Sequence, residues 1–429
     1  MKKSLLVLLL LLPLALGLAA CKSSQVEEVT PKDLYYDIER IQIDMKTSIL
    51  RDIYDPQPFE ELKAQVMEGK INRLECIFKI REILNNYKCV HLSLVPDDYN
   101  DLYGKIVPFH FYCFGNDYHV YYTLEKYKEY LGWKLVEIGG VNVEEVCNIL
   151  AQTSVFPFET ASGAKYCLEN GISYLSLEAG GLIQKKGQIS LTLENLHGIR
   201  KTVLCKPFTP TQKTKWYGLA PLKYNEFNVH NDRNTPFKIK TNPNKKTIYM
   251  QYNRCEDDYE YSLATWFSEM LAELQTGSYD TIVFDLRYNP GGEISSEISL
   301  NSLLFRNKEE LNKYNLAIII TGRTYSCACM FLNDFIRNYP QVKFFGEETG
   351  QAVFNYTNIN PNNYLKKLNC YFSFPMQLDE VPELYKRAQE VTHTDVHCGT
   401  FPDVPAGESF KDWLYGEDAI YNTIYDYFN

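Results

Sequence analysis

Ser326 is the residue around which a reaction could be built. It follows an apolar run, Asn315-Leu-Ala-Ile-Ile-Ile-Thr321, and the short connection Gly322-Arg-Thr-Tyr325. It opens a segment in which Phe331, Leu332, Phe335 and Ile336 share one helical face, with a predicted end at about Asn338 and Pro340 just beyond. A serine at a helix N-terminus sits among free N–H groups and the positive end of the dipole, where an alkoxide or a tetrahedral oxyanion is stabilised. Earlier, a second apolar run, Thr281-Ile-Val-Phe-Asp-Leu286, empties into Arg287-Tyr-Asn-Pro-Gly-Gly292. Acyl transfer needs two donors aimed at one oxygen, and the N–H groups of Gly291 or Gly292 and of Cys327 are the candidates. Serine is a weak nucleophile and needs a base within hydrogen-bond reach. His91, in the alternating segment Cys89-Val-His-Leu-Ser-Leu-Val95, is the candidate base, because an imidazole near neutral pKa suits proton transfer at working pH. Each of these residues also has a structural role open to it: a capping serine in an ordinary α/β core, and a core histidine in a strand.

The elements that must position these groups follow from periodicity. Residues 247–253 read as a strand, and Leu263, Trp266, Phe267, Met270, Leu271 and Leu274 as the buried stripe of a helix leading into the 281–286 strand. That gives a β-α-β unit, expected to cross over in the right-handed sense. Residues 31–87 read as amphipathic helices ending at Asn85-Asn86, followed by a strand over 89–95. Residues 109–122 read as an aromatic strand region, and 132–146 as strand, Gly-Gly turn and helix, with later strands at 188–193 and 201–207. Residues 209–245 are polar and contain Pro210, Pro221, Pro236 and Pro243, the composition of a linker.

The chain has 429 residues and a net charge of −10 with no basic block, which argues against a nucleic-acid partner. Met1-Lys-Lys, a leucine-rich run and Leu18-Ala-Ala-Cys21 have the n-region, h-region and small-residue cleavage site of a secretory signal. The junction looks like a bacterial lipobox; a plain signal peptide with an incidental cysteine is the other possibility. Lipidation at Cys21 would anchor the mature protein to a membrane of the bacterial cell envelope, facing the periplasm or the outside and spanning nothing. Of 12 cysteines, those other than Cys21 are scattered singly through apolar segments, the pattern of buried thiols rather than of a disulfide framework. Cys327-Ala-Cys329 has no partner ligands, so neither a metal nor a cofactor is expected.

Taken in order, the 285–292 segment, the Thr324-Tyr-Ser326 turn and Val342-Lys-Phe-Phe-Gly-Glu-Glu-Thr-Gly350 resemble the C-terminal processing, or tail-specific, serine protease family, in particular its tricorn-like branch. Cys398-Gly-Thr-Phe-Pro-Asp-Val404 and Tyr415-Gly-Glu-Asp418 resemble that family's closing motifs. The resemblance implies an α/β fold with a Clp protease/crotonase-like catalytic core, an N-terminal helical domain and a PDZ-like domain. The corresponding division is 1–20 signal peptide, 21–115 helical domain, 116–208 PDZ-like domain, 209–245 linker and 246–429 catalytic domain. It also implies His91 as the base and a carboxylate from the C-terminal region, for which Asp395 is the candidate. The chain departs from the pattern in several places. Gln351 or Ala352 stands where many members carry a lysine base, Val90 and Cys89 precede His91 where serine or aspartate is usual, and Cys329 replaces a frequent glutamate. Ser93 is a possible stand-in for the missing second serine. The expected function is a lipid-anchored serine endopeptidase acting on exported proteins or peptides through an acyl-enzyme. The alternatives are a catalytically silent, peptide-binding surface lipoprotein and, more remotely, a crotonase-type acyl-CoA enzyme.

Overall fold

The computed structural model describes residues 29–169, 171–223, 232–353, 360–377, 381–392 and 398–429. The first unit is helical, as its periodicity predicts. Helices α1 (Pro31–Thr47), α2 (Gln57–Met67) and α3 (Arg73–Asn85) turn Ile38, Phe59 and Ile77 inward. Thr30 with Asp33, and Asn72 with Glu75, form capping boxes that satisfy otherwise unpaired N–H groups at the starts of α1 and α3. The next segment departs from expectation: residues 89–91 lead through a turn, and strand β1 (Ser93–Pro96) begins only after it. Cys89 and Leu92 are fully buried in the helical core, and Leu92 N–H donates to the Cys89 carbonyl at 3.0 Å. The turn carrying His91 is thereby fixed on both sides.

Helix α4 (Tyr99–Tyr103) leads into an antiparallel sheet containing β2 (Phe109–Phe114), β3 (Asp117–Leu124), β4 (Lys134–Ile138) and β5 (Val141–Asn142). Helices α5 (Val143–Gln152), α6 (Ala161–Ala164) and α7 (Tyr174–Ala179) precede β6 (Ile189–Glu194) and β7 (Arg200–Cys205). The path is β2-β3-β4-β6-β7, with β5 on β4. The strand, Gly-Gly turn and helix expected at 132–146 are β4, β5 and α5. Gly139 in that turn has φ +63°, and a Cβ there would lie 2.2 Å from the Leu182 carbonyl oxygen, so a side chain is excluded. Val120, Leu135, Ile138 and Leu191 pack against Val146 and Leu150 of α5.

Residues 209–245 are more than a linker. They contain β8 (Trp216–Gly218), which pairs with β3, and β9 (Phe237–Asn242), which pairs antiparallel with the first strand of the next sheet. Pro236 and Pro243 bracket β9. A strand at a sheet edge tolerates flanking prolines that a central strand does not. The third unit is built on β10 (Thr247–Tyr252), β11 (Thr281–Asp285), β12 (Asn315–Ile320) and β13 (Lys343–Gly346), all parallel. They are connected by α8 (Leu263–Leu274), by α9 (Ile294–Arg306) with α10 (Lys308–Leu311), and by α11 (Cys327–Asn338). Successive side chains alternate between faces. Ile248, Met250, Phe284 and Ile318 pack with Trp266, Leu300, Phe331 and Phe335, while Tyr249, Val283 and Ile319 point to the other side. Burial of both faces is why these strands read as unbroken apolar runs.

A hairpin, β14 (Asn362–Leu365) and β15 (Cys370–Ser373), then leaves this unit and pairs with β1. Leu365, Leu368, Cys370 and Phe372 thereby join the core of the N-terminal helices. Helix α12 (Pro382–Thr392), strand β16 (Val404–Pro405) beside β13, α13 (Phe410–Leu414) and α14 (Ala419–Phe428) complete the chain. Ile420, Tyr421 and Ile424 of α14 close the second face of the parallel sheet. The boundary expected at residue 246 is thus crossed in both directions, by β9 entering the parallel sheet and by β14 and β15 leaving the C-terminal unit. No described helix is long and apolar enough to cross a membrane.

Buried charge joins the middle and third units. Arg323 makes a bidentate pair with Glu169 at 2.6 and 2.8 Å, meets Glu408 at 3.3 Å and donates to the Cys113 carbonyl at 3.1 Å. Glu408 also meets Arg287 at 3.3 Å, and Arg287 pairs with Asp285 and Asp418. Removing one member of such a set leaves the rest buried and uncompensated, which typically costs about 3–5 kcal/mol. Arg323→Ala should therefore lower the free energy of unfolding by an amount in that range, read as a lower denaturant midpoint at unchanged m. A midpoint unchanged from wild type would show that the joint does not hold the units together.

Candidate active site

Helix α11 starts at Cys327, and Ser326 stands in the N-cap position without capping it. Its φ of 53° and ψ of −128° are rarely adopted by an L-residue, and such strain costs about 1–3 kcal/mol unless the surroundings impose it. The surroundings do so here. Thr321 Oγ1 donates to the Arg287 carbonyl at 2.8 Å, Thr324 Oγ1 to the Leu286 carbonyl at 2.9 Å, and Tyr325 N–H to the Asn289 carbonyl at 3.0 Å. On the other side the buried Gln351 accepts the Ser326 N–H through Oε1. Gln351 thus grips the backbone of Ser326. The capping role weighed for Ser326 is absent, because its side chain makes no capping hydrogen bond.

The Gly291-Gly292 turn lies directly against this elbow. A Cβ on Gly291, whose φ is +95°, would sit 2.5 Å from Ser326 Cβ. Gly291 N–H donates to Asn289 Oδ1 at 2.9 Å, and Asn289, fully buried, is itself fixed by donating to the Tyr252 carbonyl at 3.1 Å. Of the two glycine N–H groups considered as oxyanion donors, that of Gly291 is therefore already engaged. Those of Gly292 and Cys327 donate in none of the hydrogen bonds among the described residues, and the Cys327 thiol donates to the Gly292 carbonyl at 3.1 Å. The strand-to-helix elbow thus presents a serine beside two backbone donors, the arrangement that acyl transfer requires.

Among the described residues no hydrogen bond joins His91 to Ser326. His91 Nδ1 lies 3.3 Å from Asn360 Nδ2, and Asn360 Oδ1 is buried without a partner among the described residues. Burial pulls the imidazole down to about 4. The near-neutral value expected for a solvated histidine does not survive this environment, and at neutral pH His91 is an uncharged ring able to accept a proton. Ser93, the possible second serine, sits in β1 opposite Ser373. Asp395 and Cys21 lie outside the described residues.

The segments that carry His91 and Ser326 are linked by a residue absent from the sequence-based expectation. Glu159, wholly buried, accepts Val90 N–H at 2.7 Å through Oε1 and Ala352 N–H at 2.8 Å through Oε2. Val90 adjoins His91 and Ala352 adjoins Gln351, so one carboxylate links the histidine turn to the arm that holds Ser326. The only hint in the sequence is an acid within the otherwise apolar Val155-Phe-Pro-Phe158 neighbourhood. Asn360 gave no signal at all. Cys329, where a glutamate is frequent, is a buried thiol 3.8 Å from the Thr324 carbonyl, and burial pushes its pKa up. All eleven described cysteines are free, and no cluster that could hold a metal occurs among the described residues.

The peptidase family S41 model matches residues 246–365, which include both glycines and Ser326. No curated protein sequence matches the chain. Among solved structures, mature CPAF superposes with a TM-score of 0.60 at 12% identity, covering 92% of this chain and 96% of that one. CPAF complexed with lactacystin gives 0.61 at 11% identity, covering 94% and 98%. At such identities the likeness establishes a shared fold, and it extends over all three units. The stretch that matches the peptidase family S41 model thus carries both the Ser326 elbow and the glycine turn.

Proposed function

We propose that the protein is a serine endopeptidase of the bacterial cell envelope, lipid-anchored through Cys21, that cleaves exported proteins or peptides with Ser326 as nucleophile and His91 as base. The observation that carries this reading is the strained Ser326 elbow packed on the Gly291-Gly292 turn. In the reaction His91 Nε2 takes the Ser326 Oγ proton as Oγ attacks the scissile carbonyl. The oxyanion is received by the N–H groups of Gly292 and Cys327. The imidazolium then gives its proton to the leaving amine, and water, deprotonated by His91, releases the acyl group and restores the serine. No hydrogen bond among the described residues joins the two side chains in the free protein, and such contacts commonly tighten only with substrate bound.

A general base requires an Nδ1–H tautomer, so that Nε2 is the acceptor. Turning the Asn360 amide over supplies it: Oδ1 then accepts Nδ1–H and no longer lacks a partner. Asp395 stays the candidate for a carboxylate contribution to the imidazolium. The middle sheet, with β4, its Gly-Gly turn and α5, is read as a PDZ-like module that adds an extended peptide to a strand edge. No observation favours the silent peptide-binding lipoprotein.

Labelling of detergent-solubilised, full-length protein with a fluorophosphonate tests the chemistry. Ser326→Ala should abolish it, and His91→Ala should slow it by about 10²–10⁴-fold, the usual contribution of a general base. Equal labelling of Ser326→Ala and wild type would remove Ser326 as nucleophile. Because His91 is held near 4, the wild-type rate should rise with pH through about 4 and be level at pH 6; an inflection near 6.5 would mean a solvated histidine instead. Asn360→Ala should lower the rate by roughly 10²-fold through lost orientation, and an unchanged rate would remove Asn360 from the mechanism. Cys21→Ser should abolish incorporation of a labelled fatty acid and release the protein from membranes; membrane retention would exclude this anchor.

A further inference from the structure

The mechanism above assigns no role to Glu159, yet this is the carboxyl group that spans the site. It lies after α5, in the segment that runs from the middle unit to the catalytic elbow. Its neighbour Thr160 donates through Oγ1 to the Thr349 carbonyl at 2.9 Å and lies 3.2 Å from the Gly350 carbonyl. Gly163 packs so tightly on Tyr325 and Gly350 that a Cβ would meet the Tyr325 hydroxyl at 2.1 Å. Lys165 pairs with Glu347 at 2.6 Å. The segment is thus docked along the 347–352 arm, and Glu159 projects from it to reach the histidine turn as well.

We propose that Glu159 is a positioning residue of the active centre, whose carboxylate clamps the Val90 and Ala352 N–H groups and so holds the His91 turn and the Gln351–Ser326 arm at one fixed separation. This inference rests on the reading of Ser326 and His91 as nucleophile and base.

Two donors meeting two oxygens is the pattern of a carboxylate. A neutral carboxyl carries its proton on one oxygen, and that oxygen would then face an N–H that also donates. Burial favours the neutral form and pushes Glu159 up to about 8, while the two N–H groups pull the other way. The titratable groups that feel its charge are Cys89, Tyr325 and Cys329, each held neutral by burial. No cation among them offsets the carboxylate, so the backbone N–H groups are its described partners. The clamp is complete in the ionised form, and closure should therefore increase as pH rises through about 8.

The test compares full-length wild type and Glu159→Gln by fluorophosphonate labelling across pH, with circular dichroism to verify folding. Glutamine sets an NH₂ group against one of the two N–H donors. We expect folded Glu159→Gln to label slower by about 10²-fold, the scale of a small displacement of reacting groups. It should lose an inflection near pH 8 that wild type shows, and keep the His91 inflection near 4. A folded variant with the wild-type rate and profile overturns the proposal. The second measurement needs neither folding of the variant nor labelling: hydrogen exchange in wild type. Protection of the amides at Val90 and Ala352, relative to intrinsic rates, should rise together as pH passes about 8, and independent behaviour overturns the clamp. Absence of Ser326-dependent labelling with intact coupled protection would instead remove the peptidase mechanism and leave the clamp standing.

Discussion

Two buried guanidinium groups, Arg287 and Arg323, hold the glycine turn and the elbow beside Ser326, and the rest of the site depends on their staying paired. Both meet Glu408, while Asp285 and Asp418 pair with Arg287 and Glu169 pairs with Arg323. Burying this much charge gains little net stability, because desolvation cancels most of the attraction. Its effect is on uniqueness: each arginine has a planar fork that fits one arrangement of carboxylates. Arg287 follows β11 and Arg323 precedes Ser326, so satisfying both forks sets the relative height of the glycine turn and the serine elbow. Tyr166 stacks on Arg323 at 3.9 Å and Tyr112 at 4.6 Å, covering it with rings of the middle unit. The strained backbone at Ser326 is tolerated because this frame and the threonine hydrogen bonds leave it no alternative.

What could be read from the sequence was whatever has a period. The parallel strands are buried on both faces and appear as apolar runs, and α8 and α11 show their stripes, so the elbow at Ser326 was placed to the residue. Contact between distant segments leaves no such period. The β14–β15 hairpin reads as an ordinary part of the C-terminal unit, and only pairing with β1 reveals that Leu365 and Phe372 complete the N-terminal core. Likewise β9 is masked by its prolines, although an edge position makes them harmless. Glu159 and Asn360 lie outside any helix or strand, and one acid or one amide leaves no pattern before its partners are known. The strand expected across His91 failed for a related reason: Cys89 and Leu92 are anchored in the same core, which alternation in a strand would not permit.

His91 and Glu159 titrate in opposite directions from their ordinary values for the same cause. Burial disfavours charge on either, lowering the base and raising the acid. Linkage gives opposite slopes in stability. An unfolded histidine takes a proton below about 6.5 that native His91 refuses until about 4, so stability falls as pH drops across that window. Unfolded glutamate ionises near 4.5, whereas native Glu159 keeps its proton to about 8, so its contribution to stability declines as pH rises between those values. Alkaline conditions that complete the grip on two backbone amides therefore also weaken the fold around them.

The pairing of β1 with β15 has a consequence in time as well as space. During synthesis the helices α1 to α3 emerge first, but part of their core consists of Leu365, Leu368, Cys370 and Phe372. The His91 turn consequently has no finished floor until Ser326, the glycine turn and the hairpin have all been made. Assembly of the site around Ser326 is deferred to the last third of translation, so the N-terminal segments wait for the chain's end before their core is closed.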